Sequence, residues 1–222
     1  GSVGEEARPL SVLMIFVDGV GLGDAHVGRN PLASAPMPFV RKLLGGRALV
    51  RTSAEDVDGA MACSDVRLIA VDACLGVSGL PQSATGQTTL LTGVNAADAL
   101  GRHLPGLPSA TLVDILRKHS LFKRLRQAGL TATFANPFTD DYFAAVETGR
   151  WRHSATTTAV LSADLPVRKL DDLRAGRAVF HDITGERLRG LGYDVAPTTP
   201  QEAGRRLAQL TAEYDFTLFE HF

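Results

Sequence analysis

The chain has 222 residues, 45% of them hydrophobic and 21% charged, which suits one globular α/β or α+β domain, or a core with a sub-domain, and excludes a disordered tail or a disulfide-stapled miniprotein. Twenty-three Lys and Arg stand against twenty-four Asp and Glu, a net charge of −1, so no electrostatic excess favours nucleic acid or anionic lipid. The longest apolar runs fall short of the roughly 18 residues that span a bilayer, no signal peptide is visible, and two cysteines, Cys63 and Cys74, fit a reducing cytoplasm as buried small apolar side chains.

After a polar leader over residues 1–9, whose Gly1 and Ser2 read as a cloning scar, residues 10–17 form a continuous apolar run that ends in Asp18 and a glycine-rich stretch. Such a run predicts a strand buried on both faces of a parallel sheet. In an open α/β sheet ligands gather beyond the carboxyl ends of strands, where Asp18 would lie. A short helix is expected over residues 38–44, stopped by Gly45 and Gly46, and a second strand over residues 67–72. Residues 79–93 pass from turn residues into a helix start built of small and hydroxyl side chains, with Ser83 in the N-cap region, where free N–H groups favour an anion. A loop follows at residues 105–108. Residues 111–129 contain a helix over 120–128 capped by Gly129, and residues 130–135 read as a strand that completes an αβ unit. Residues 136–170 are mixed and polar, helical with loops, and part of an inserted cap. Helix 201–214, with Ala203, Leu207 and Leu210 on one face, leads into strand 216–219. No internal repeat or low-complexity tract is visible.

Several of these residues are able to do chemistry, and each also has an ordinary structural use. Asp18, followed by glycines, is an oxygen donor of the kind Mg²⁺ or Mn²⁺ prefers, or a turn Asp capping the next segment. Ser83 or Thr85 is either a nucleophile activated by a metal ion or a plain helix cap. Gly86 permits the approach of a phosphate or tight helix packing. Asn30 places a substrate or caps a turn. Arg150, Arg152, His153 and Arg168 would clamp a phosphorylated substrate through guanidinium forks, or form a solvated face. The six histidines show no ligand-spaced pair and read as surface or hydrogen-bonded residues; His221, which follows the last strand, would lie near the site.

Taken together, residues 16–21 and 79–93 resemble the alkaline phosphatase superfamily, and within it the branch of cofactor-independent phosphoglycerate mutase and phosphopentomutase. The resemblance covers the first hundred residues and implies a three-layer α/β sandwich with a mostly parallel sheet and a small inserted cap at about residues 136–200. It makes Asp18 a metal ligand and Ser83 the nucleophile and a second metal ligand, with Thr85 as the fallback; Gly86, Gln87, Asn30 and Arg152 are expected on the substrate side. The implied cofactors are two divalent ions, Mn²⁺, Zn²⁺ or Mg²⁺, and the implied partner is a small phosphorylated substrate, with neither nucleic acid nor membrane. The chemistry implied is phosphatase or phosphomutase turnover through a phosphoserine. The pattern also departs from the family: relatives complete the metal site with an Asp-x-x-x-His stretch and a later Asp-His pair, and neither occurs in these 222 residues. Strand 216–219 resembles the one leading into the first missing stretch, so the expectation is a chain short of its own metal ligands and carboxyl-terminal strands. The alternative is therefore a metal-incomplete, catalytically silent member acting as a binding or scaffold domain.

Overall fold

The computed structural model describes residues 10–55 and 66–222, and the chain divides into two compact units, Gly19–Ala73 and the remainder, Gly1–Asp18 with Cys74–Phe222. In chain order the elements are β1 (Val12–Val17), α1 (Pro31–Ser34), α2 (Pro38–Leu43), α3 (Arg51–Glu55), α4 (Ser83–Thr92), α5 (Ala96–Leu100), α6 (Ala110–His119), α7 (Leu121–Gln127), β2 (Ala132–Phe134), β3 (Pro137–Phe138), α8 (Asp140–Glu147), α9 (Ala155–Leu161), β4 (Arg168–Lys169), α10 (Leu170–Arg174), α11 (Glu186–Gly190), α12 (Pro200–Glu213) and β5 (Phe216–His221).

In the larger unit, β1, β5 and β2 make a parallel sheet with β5 in the centre, pairing Val12 through Val17 with Phe216 through His221 on one side and Ala132 through Phe134 with Phe216 through Leu218 on the other. Alternation along the strands sorts side chains to two faces. Phe216 and Leu218 of β5, with Met14 and Phe16 of β1, pack against Leu91 of α4, Leu116 of α6, Phe122 of α7 and Val160 of α9. Phe219 and Leu13 face the opposite way, onto Ala203, Leu207 and Leu210 of α12. The protein is thus mixed α/β with helices on both faces of a small parallel sheet. Residues 136–200, expected as an insertion, cluster with this sheet in the same unit and carry the second, two-stranded parallel sheet of β3 and β4. Among the described residues no helix is long and apolar enough to cross a membrane.

Three expectations need correction. β1 is apolar throughout, yet it is not buried on both faces: Val12 is 50% exposed, Ile15 54% and Val17 41%, because among the described residues β1 has only β5 as a neighbour. Residues 67–72 form no strand: no strand among the described residues pairs with them, and an isolated strand leaves its amides without partners. The helix expected over 120–128 is present as α7, and α6 before it was not expected: Ser120, at ψ 130°, ends α6 while its hydroxyl caps α7 at Lys123 N–H. Cys74 is half-buried instead of buried, its thiol 3.8 Å from Gly79 O, and Cys63 lies outside the described residues.

Candidate active site

The site is built where β1 ends and α4 begins. Asp18 follows the last residue of β1 and is held in register by its N–H, which donates to His221 O at 3.0 Å. Ser83 is the first residue of α4, and Gln82, extended at φ −134°, is its N-cap and supplies no side-chain cap. Ser83 is thus displaced by one residue from the N-cap position, which leaves its hydroxyl available to a partner outside the helix. That partner is Asp18: Ser83 Oγ lies 3.2 Å from Asp18 Oδ2 and 3.5 Å from Oδ1, across 65 residues of sequence. A carboxylate accepting from a half-buried serine hydroxyl orients its lone pairs, and the positive end of a ten-residue helix favours negative charge at the same place.

Burying so polar a helix has a physical solution in its threonines. Thr88, Thr89 and Thr92 donate to the carbonyls of Ala84, Thr85 and Thr88 at 2.6, 2.9 and 2.6 Å, so their hydroxyls are satisfied within the helix while their methyl groups pack. Gly93, in the left-handed region at φ 74°, ends it.

Sequence reasoning missed Glu220, which sits on the β5 face that also carries Phe216 and Leu218. It is only 3% exposed. Its backbone is clasped by Asn136, whose Nδ2 donates to Glu220 O at 2.8 Å while its Oδ1 accepts from Glu220 N–H at 2.9 Å. Thr156 Oγ1 of α9 donates to its carboxylate. Burial pushes the Glu220 carboxyl up to about 7; the Thr156 hydrogen bond lowers it and the negative charge of Asp18 raises it further. The signal for it was a lone acid on the inward alternation of a strand otherwise suited to a core. Gln87, expected on the substrate side, is buried and lines a small void with Phe16 and Glu220.

The other expected residues are placed as follows. Thr85 is fully buried, donates to Gln82 O at 3.2 Å and accepts from Leu104 N–H at 3.3 Å, so its hydroxyl serves the α4 entry. Gly86 donates to Gln82 O at 2.9 Å, and a Cβ there would meet nothing within 4 Å, so space alone does not demand a glycine. Asn30, in the smaller unit, caps α1: its Oδ1 accepts from Leu32 N–H at 3.1 Å and its Nδ2 donates to Asp24 O at 2.6 Å. Arg152 donates to Pro108 O at 3.4 Å in a groove whose walls include neither Asp18 nor Ser83. His221 Nδ1 donates to His181 O at 2.7 Å, and burial holds the imidazole of His181 below the usual histidine range.

Asp18 and Ser83 are two oxygen donors. Among the described residues no group of three or more His, Cys, Asp or Glu is arranged to hold a metal ion, whereas hard cations take about six oxygen ligands. The described residues therefore do not fit a two-metal centre. No family model, no curated protein and no solved structure matches this chain.

Proposed function

We propose that the chain carries the nucleophile of a phosphoryl-transfer enzyme, a phosphatase or phosphomutase of the alkaline phosphatase type, whose three-layer sandwich is the specific form of the α/β fold. The observation that carries the reading is the Ser83 hydroxyl on the Asp18 carboxylate. Ser83 Oγ attacks phosphorus of a small phosphorylated substrate, the bond to the leaving oxygen breaks, and the hydroxyl proton passes along the hydrogen bond to Asp18. The phosphoserine then gives its phosphoryl group to water, or to another hydroxyl of the substrate where water is excluded.

A metal-incomplete binding or scaffold domain is the second reading, favoured by the absence, among the described residues, of any group of three or more His, Cys, Asp or Glu arranged to hold a metal ion. The two are separated by incubating the protein with p-nitrophenyl phosphate and Mn²⁺, Zn²⁺ or Mg²⁺ in turn and mapping phosphorylation by mass spectrometry. Phosphate on Ser83, absent in Ser83→Ala while Thr85→Ala keeps it, is the expected result. No covalent phosphate with any of the three ions, in protein that still binds inorganic phosphate, would leave the binding domain standing.

A further inference from the structure

The groove that holds Arg152 encloses about 740 Å³, within the range of small-molecule sites. One wall is α6, with Val113, Asp114 and Arg117; the other runs from the α8–α9 connection into α9, with Trp151, Arg152 and Leu161. Two features distinguish it from an ordinary surface dip. Trp151 is 53% exposed, with its backbone N–H donating to Ala145 O at 2.9 Å and its ring against Tyr142, the centroids 6.1 Å apart. Tyr142 is in turn tied to His153 by a 2.8 Å hydrogen bond between the phenol oxygen and Nδ1. Burial lowers the His153 imidazole from its usual range, so this residue adds no charge to the wall at neutral pH.

The second feature is charge. The one carboxylate on the walls, Asp114, is paired with Lys118 at 2.8 Å, whereas neither Arg117 nor Arg152 makes an ion pair among the described residues. Two guanidinium groups without carboxylate partners, set beside an open indole and the aliphatic side chains of Val113 and Leu161, complement a flat apolar body bearing an anionic group.

We propose that this groove is a ligand site, separate from the Asp18–Ser83 pair, for a small aromatic anion whose ring lies on Trp151 and whose carboxylate or phosphonate-like group meets Arg117 and Arg152. The proposal does not rest on phosphoryl transfer at Ser83. Because Trp151 is the only tryptophan in the chain, its fluorescence reports the groove directly, and calorimetry gives a second readout. Phenylphosphonate, which no phosphatase chemistry consumes, is the probe, with inorganic phosphate and benzyl alcohol as its charge-only and ring-only counterparts. Saturable binding of phenylphosphonate that is weaker by about tenfold in Arg117→Gln and in Arg152→Gln, and unchanged in Ser83→Ala, is expected, since one charge-assisted hydrogen bond accounts for about that factor. Arg117→Lys keeps the charge and loses the fork, and falls between. The proposal is overturned by absent saturation, by equal binding of benzyl alcohol or of inorganic phosphate, by indifference to both arginine substitutions in folded protein, or by loss of binding in Ser83→Ala.

Discussion

β1 and β5 lie side by side in register, and their burial runs against their composition. β1 is Val-Leu-Met-Ile-Phe-Val and leaves three of its six side chains substantially exposed. β5 contains a threonine, a glutamate and a histidine and is buried at every position but the last. The difference is place: β5 has a strand on each side and helices over both faces, whereas β1, among the described residues, has a strand on one side only. Burial in a sheet is thus a property of the position, and leaving a polar group there without a partner is costly: Glu220 is satisfied by Thr156 and Asn136, whereas the Thr217 hydroxyl has no partner among the described residues.

The sharpest way to break this comparison is to remove side chain from each strand. Leu218→Ala in β5, at a position 1% exposed, should cost about 2–5 kcal/mol by urea unfolding. The next effect is the response to pH. A carboxyl raised from 4.5 to about 7 in the folded protein is neutral there while it ionises in the unfolded chain, so its contribution is full below pH 4.5 and is lost as pH rises through about 7. The loss should reach about 3 kcal/mol, and Glu220→Gln should abolish it. His153 and His181, whose values are lowered by burial, act with the opposite sign, contributing stability above the usual histidine range that is lost as pH falls. Subtracting the Glu220→Gln profile from the parent profile isolates the glutamate; two superimposable profiles would show that its carboxyl titrates alike in the folded and the unfolded chain.

Asn136→Ala should cost about 1–3 kcal/mol, because it strips the N–H and the carbonyl of Glu220 of their partners in a buried strand. A loss under a few tenths would mean that water takes over both groups and that the centre of the sheet is wetter than its burial indicates. The smallest effect belongs to β1: Ile15→Ala should cost less than about 1 kcal/mol, as half of that side chain already faces outward. Equal costs for Ile15→Ala and Leu218→Ala would erase the distinction between the two strands.

Much of the fold was legible because its signals are local. α12 follows from the spacing of Ala203, Leu207 and Leu210, which the structure buries together against Phe219. The end of α2 follows from Gly45 and Gly46, both at positive φ, and the end of α4 from Gly93. The start of α7 at Ser120 was legible, whereas α6 was not expected, since nothing local tells that the serine capping one helix also ends another. Residues 67–72 misled for the complementary reason: β-branched and apolar side chains favour a strand only when another strand is there to pair with.

At the candidate site the order Asp18 before Ser83, each at the edge of a regular element, was readable in the chain, and so was the chemistry those two groups are capable of. What the sequence by itself determined is therefore local: strand runs, caps, glycine stops and the inward stripe of α12, each set by interactions between residues a few positions apart. Only the tertiary structure decided the pairing of Ser83 with Asp18, the burial of Glu220 and the gathering of Arg117, Trp151 and Arg152 into one groove. Those contacts join residues 34 to 84 positions apart or depend on which strand occupies the centre, and no local preference encodes the desolvation that gives them their chemistry.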